Sequence, residues 1–130
     1  YFHEANDQMC LIVQVENTAG IKNLDEIINA EGVDGVFIGP ADLAASMGFI
    51  GQPDKPEVKQ TVEAALKKIR NAGKISGVMA IAKPLAEHYI NCGANMVAIA
   101  IDTLLLAKAA TDTAAGYQKE SIEKKSNTKY

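Results

Sequence analysis

Apolar residues recur along this chain in two alternating rhythms. Short runs rich in β-branched residues predict strands at MCLIVQVE (9–16), DGVFIG (34–39), KISGVMAI (74–81) and NMVAIAID (95–102). Helical spacing fills the intervals. NTAGIKNLDEIINAEG (17–32) places Ile21, Leu24, Ile27 and Ile28 on one face, with Asn17 or Thr18 as cap and Gly32 as stop. PADLAASMG (40–48) predicts a short helical turn. PEVKQTVEAALKKIRNAG (56–73) carries the stripe Val58, Val62, Ala65, Leu66 and Ile69, with Gly73 just past its end. PLAEHYINCG (84–93) and TLLLAKAATDTAAGYQ (103–118) complete the helices, and residues 119–130 form a polar tail.

Strand and helix repeated four times predict βα units around a parallel sheet. The strand runs are apolar on both faces, as parallel strands buried under helices are. Four such units make either a small open sheet or half of a (β/α)8 barrel, and both place ligands at the carboxyl ends of the strands.

Those ends carry the candidate chemistry. A period of two puts Ile12, Gln14 and Glu16 on one face of the first strand and Leu11, Val13 and Val15 on the other. The first face turns polar only as the strand ends. The second strand leads into Gly39-Pro40-Ala41-Asp42. Gly39 admits close approach of a ligand to the backbone, and the N–H groups of Ala41 and Asp42 open a helical turn that suits a carboxylate. Glu16 and Asp42 close adjacent strands, which lie ~4.8 Å apart, so their charges repel unless a cation joins them. All-oxygen donors favour Mg²⁺ or Mn²⁺, with Co²⁺ a third option. The alternative is that Asp42 caps the short helix while Glu16 lies in water.

Composition narrows the function. Hydrophobic residues make up 48% and charged residues 22%, a globular balance. A net charge of −3, a single arginine (Arg70) and no Trp exclude the basic, aromatic surface of a nucleic-acid binder. No run approaches the ~20 apolar residues of a membrane span. No basic n-region precedes an apolar segment, which points to the cytoplasm. Cys10 and Cys92 then read as packed free thiols, Cys10 at the start of a buried strand. His3, His88 and Arg70 lie away from strand ends and read as structural or exposed, and Asp102 reads as the cap of the last helix. The chain opens YFHEAND, without Met, which reads as a piece of a longer protein.

VQVE followed by NLDEI, then EGVDGVFIGPADLAASMG, then PEV opening a helix, then ANMVAIAIDTLLLAKAA, closely resembles the HpcH/HpaI family of metal-dependent (class II) 2-keto-acid aldolases. The resemblance implies a (β/α)8 barrel of roughly 250 residues. Residues 1–118 would be its C-terminal half, strands five to eight, followed by the tail 119–130. It implies Glu16 and Asp42 as ligands of the divalent cation. Gln14 and the turn Gly39, Pro40, Ala41 would line the site of pyruvate or the 2-keto acid. The implied reaction cleaves a 4-hydroxy-2-oxo acid, such as 4-hydroxy-2-oxo-heptane-1,7-dioate or a 2-keto-3-deoxy sugar acid. It gives pyruvate and an aldehyde through a metal-stabilised enolate. The family's active-site arginine and proton-transferring histidine belong to the first half, so no catalytic residue is expected here and this piece alone should be inactive. The implied assembly is a homo-trimer or hexamer packed through the last helix; ordinary packing within the barrel is the alternative for Leu104, Leu105 and Leu106. A truncated half-barrel that binds metal or only oligomerises is the competing reading. Two departures, Ala100 in place of a common Gly and Lys55 in place of a frequent His, lie outside the ligand motif.

Overall fold

The computed structural model describes the backbone of residues 2–126 and the side chains of residues 2–117. Two compact units make up the chain, Tyr1–Ile99 and Ala100–Tyr130. After a 3₁₀ turn at Asn6–Gln8, the first unit runs β1 (Ile12–Val15), α1 (Thr18–Lys22), α2 (Leu24–Asn29), β2 (Gly35–Ile38) and α3 (Pro40–Ser46). It continues through α4 (Pro56–Asn71), β3 (Ile75–Met79), α5 (Lys83–Asn91) and β4 (Met96–Ala98). The second unit holds α6 (Asp102–Ser126).

All three strand pairings are parallel and the order is β1-β2-β3-β4. Sequential order decides between the two folds the sequence left open. Parallel crossovers are right-handed in nearly every case, so an unreversed order sends each connecting helix to the same side of the sheet. A doubly wound sheet needs a reversal to cover its second face. The burial agrees. Val15, Val36, Ile38, Val78 and Ala80 on the helix side are buried, whereas Ile12, Phe37, Ile75 and Met79 on the other are only half-buried and Gln14 and Met96 are exposed. This is the arrangement of one half of a (β/α)8 barrel, with the inner face uncovered.

The inner face interlocks by size. A Cβ on Gly35 would stand 2.6 Å from the Ile75 Cβ, and one on Gly77 would stand 2.6 Å from the Phe37 ring. Each large side chain therefore lies over a glycine of the next strand. On the outer side the α4 stripe Val58, Val62, Ala65, Leu66 and Ile69 is buried as its spacing predicts. Ser76, the buried polar residue of β3, donates its hydroxyl to the Leu66 carbonyl at 3.0 Å and ties β3 to α4.

Boundaries differ from expectation where hydrogen bonding overrides apolar pattern. Residues 17–32 form two helices. Asn17 caps the first through its side chain at 2.8 Å from the Gly20 nitrogen, and Asn23 (φ −95°, ψ 13°) breaks the run. β1 begins at Ile12, because Asp34 occupies Leu11: its Oδ2 accepts from the Leu11 N–H at 2.7 Å. Cys10 consequently lies outside the strand and is exposed, which corrects the expectation of a packed thiol. The helix expected over 103–118 continues to Ser126, and residues 127–130 of the polar tail lie outside the described residues. No helix of the described residues is long and apolar enough to cross a membrane.

Candidate functional site at the carboxyl ends of the strands

Register places the candidate residues side by side. Gln14 pairs with Phe37 and Val15 with Ile38, so Glu16 falls next to Gly39. Gln14 and Glu16 share the inner face, and the Gln14 amide donates to the Glu16 Oε2 at 2.7 Å. That bond fixes the carboxylate's orientation while Glu16 stays half-buried. Gly39 forms the adjoining wall. A Cβ there would meet Glu16 Oε2 at 3.0 Å, Glu16 Cβ at 3.1 Å and Gln14 Nε2 at 3.2 Å. Its φ of −100° suits any residue, so the demand for glycine is spatial and comes from the two polar side chains.

The turn after Gly39 is set by proline. Pro40 fixes φ at the first position of α3 and contributes no N–H. The Gly39 N–H is spent on the Val15 carbonyl at 3.2 Å, and the Leu43 N–H returns to the Gly39 carbonyl at 3.0 Å. The N–H groups of Ala41 and Asp42 have no acceptor within so short a helix start. Pro40 is buried, and Ala41 and Asp42 are exposed. Pro40 and Ala41 also line a cavity of about 280 Å³ with Met79, Ala80, Ile81 and Asp54, at the carboxyl ends of β2 and β3. A larger hollow of about 480 Å³ lies among α1, α2 and α4, bordered by Ile21, Leu24, Ala64 and Lys68, away from the strand ends. Gln14, Glu16, Gly39, Pro40 and Ala41 are thus gathered at one end of β1 and β2, and Asp42 stands one position further along α3.

The remaining sequence candidates sit elsewhere. Asp102 opens α6 and accepts from the Thr103 N–H at 2.7 Å, a cap-like contact. Arg70 is exposed near the end of α4. Lys74 donates to the Val33 carbonyl at 2.6 Å, which gives it a structural anchor. Sequence reading did not foresee a cluster on the helical layer. His88 Nε2 lies 2.7 Å from Glu63 Oε1 and 3.8 Å from Cys92 Sγ. The spacing of four between His88 and Cys92 is a readable signal for a shared helix face. Glu63 comes from α4 and is brought there only by packing. Beside it Tyr89 is fully buried, and its hydroxyl has no hydrogen-bond partner among the described residues. Burial first, then the charges of Asp54, Glu63 and Cys92, push its pKa up to about 12.

Comparison with known proteins identifies the family. The family model described as HpcH/HpaI aldolase/citrate lyase matches residues 2–109. The 4-hydroxy-2-oxo-heptane-1,7-dioate aldolase of Shigella flexneri is 50% identical over 121 residues, which are 93% of this chain and 45% of that protein. The hydroxypyruvate/pyruvate aldolase of Deinococcus radiodurans is 52% identical over 123 residues, 95% of this chain and 44% of that protein. The crystal structure of an HpcH/HpaI aldolase/citrate lyase family protein from Burkholderia cenocepacia superposes with a TM-score of 0.81 at 32% identity. The match covers 91% of this chain and 46% of the other. The chain therefore spans about half the length of the relatives it matches.

Proposed function

Because this chain belongs to the HpcH/HpaI aldolase/citrate lyase family, we propose that it supplies the cation-binding half of a pyruvate aldolase barrel. The reaction is cleavage of a 4-hydroxy-2-oxo acid to pyruvate and an aldehyde. The observation that carries this reading is the packing of Gln14, Glu16 and Gly39: an amide-oriented carboxylate beside a wall that only glycine leaves open.

The residues fit a hard divalent cation. Glu16 and Asp42 offer carboxylate oxygen alone, the donor type that Mg²⁺ and Mn²⁺ prefer and Co²⁺ accepts. Gln14 holds Oε2 of Glu16 from one side. Glu16 and Asp42 would hold the cation, which supplies Lewis acidity to the keto oxygen of the substrate.

The chain's own residues do the rest of the work assigned to this half. The Ala41 and Asp42 N–H groups present two donors to the substrate carboxylate at the start of α3, where the helix dipole adds to their attraction. Pro40 keeps that turn in one conformation. Gly39 leaves room for the Glu16 carboxylate and the Gln14 amide to lie against the backbone beside the keto acid. Met79, Ile81 and Leu85 along the neighbouring cavity offer an apolar surface to the substrate's carbon chain. The proton-transferring histidine and the arginine implied by the family belong to the other half of the barrel, so activity belongs to the full-length protein.

The assembly we propose is a homo-trimer or hexamer joined through α6. Leu104, Leu105 and Leu106 follow one another there and are 54–72% exposed. The two free cysteines fit the reducing cytoplasm. A panel of 4-hydroxy-2-oxo acids, assayed for pyruvate release by the full-length protein with and without chelator, tests the function. Cleavage restored by Mg²⁺ or Mn²⁺ is expected. Undiminished cleavage in chelator would overturn the metal assignment, and no cleavage of any member would favour a non-catalytic half-barrel.

A further inference from the structure

Glu63, His88 and Cys92 bring three different ligand types to one spot on the helical layer. Their donor atoms all lie within 4.8 Å of one another. His88 and Cys92 are one helical turn apart at the end of α5, so they share a face, and Glu63 projects from α4 to meet them. The cluster lies on the seam between α4 and α5. His88 also borders a groove there with Lys59, Pro84 and Leu85. From this geometry we infer a second metal site, for a borderline-soft divalent cation of the Zn²⁺ class, that clamps α5 to α4.

The donor set distinguishes this site from the one at the strand ends. Imidazole nitrogen, thiolate sulfur and one carboxylate oxygen match Zn²⁺ or Co²⁺, and they are poor partners for Mg²⁺. Tetrahedral Zn²⁺ has Zn–S bonds of ~2.3 Å and Zn–N or Zn–O bonds of ~2.0–2.1 Å, which sets its ligand atoms roughly 3.3–3.6 Å apart. The separations of 2.7 Å and 3.8 Å found here straddle that range, so small side-chain rotations admit the ion. Three protein ligands leave the fourth position to water, and the exposure of His88 gives the ion its route. Glu63 and Asp54 both act on the adjacent Tyr89, and Asp54 is paired with Lys59 at 3.5 Å. On binding, Cys92 gives its thiol proton to solvent, and the thiolate and Glu63 together balance the two positive charges.

Cobalt reports on the site directly, because only a thiolate ligand gives a sulfur-to-Co²⁺ charge-transfer band. The full-length protein, with thiols kept reduced, is titrated with Co²⁺. The band is expected to saturate, to vanish in Cys92→Ser, and to need at least 10-fold more Co²⁺ in His88→Gln or Glu63→Gln. It should persist in Cys10→Ser and in Asp42→Asn, which separates this site from the proposed aldolase centre. Absence of a band in the folded protein would overturn the inference. So would a band that follows Cys10, or one indifferent to His88 and Glu63. Circular dichroism of each variant confirms that the fold survives.

Discussion

Adding one methyl group at Gly39 separates the stability of the fold from the geometry of the site. Gly39→Ala introduces a Cβ at 3.0 Å from Glu16 Oε2, 3.1 Å from Glu16 Cβ and 3.2 Å from Gln14 Nε2. Contacts that short require the two side chains to retreat by a few tenths of an ångström. The backbone itself is indifferent, since φ of −100° and ψ of 94° are open to alanine. The lost freedom of the unfolded chain should return about 0.4–1 kcal/mol, offsetting much of the crowding, so the melting temperature should barely move. Function should respond more strongly. A misplacement of ~1 Å at a reacting centre costs about 100-fold in rate, so a few tenths of an ångström should cost about 10-fold. The expected result in the full-length protein is a roughly 10-fold loss in kcat/KM for pyruvate release, with weaker activation by Mn²⁺ and an unchanged melting curve, about 1.4 kcal/mol of transition-state stabilisation. Gly35→Ala is the contrasting control. There the Cβ lands 2.6 Å from the Ile75 Cβ and 2.9 Å from its carbonyl oxygen, and overpacking should cost about 1–3 kcal/mol of stability. Wild-type kinetics in Gly39→Ala, or a stability loss matching that of Gly35→Ala, would refute this reading of the site.

Four other substitutions have defined outcomes. Glu16→Gln and Asp42→Asn should each abolish metal-dependent cleavage while leaving the circular dichroism spectrum intact; substantial activity in either would remove that residue from the ligand set. Gln14→Ala removes the 2.7 Å bond to Glu16; because Gln14 is exposed, the loss should be about 1 kcal/mol, a roughly 5-fold rise in the Mn²⁺ concentration for half-activation. Tyr89→Phe should flatten the alkaline limb of stability. Burial raises the folded-state pKa from 10.0 to about 12, so above pH 10 the unfolded chain loses this proton first and stability falls as pH climbs toward 12. Denaturant midpoints at pH 9 and 11 should diverge less in the variant, and an unchanged slope would show that another group controls the alkaline limb.

The parts of this structure that were legible in the sequence are those where one local pattern decides the outcome. The α4 stripe was one, because burial of Val58, Val62, Ala65, Leu66 and Ile69 follows from spacing alone. The start of α3 was another, because Pro40 fixes φ at its first position without distant help. The break at Asn23 was hidden because Ile21, Leu24, Ile27 and Ile28 keep helical spacing across it. The start of β1 was hidden because a side chain 23 residues away, Asp34, takes the Leu11 N–H. Cys10 was misjudged for the same reason: an apolar neighbourhood in sequence became an exposed position once pairing stopped at Ile12. The alternation of Gly35 with Ile75 and of Phe37 with Gly77 depends on register between strands, as does the contact of Gly39 with Gln14 and Glu16. Glu63 reaches His88 only through helix packing, so the sequence carried a signal for the His88 and Cys92 pair but none for Glu63.

A crystal of the full-length protein grown with Mn²⁺ and pyruvate offers the most direct test, read by anomalous scattering. The expected result is one anomalous peak bonded to carboxylate oxygens of both Glu16 and Asp42, with the pyruvate carboxylate facing the Ala41 and Asp42 N–H groups. A peak bonded to neither carboxylate, or pyruvate bound away from the Gly39–Ala41 turn, would contradict it.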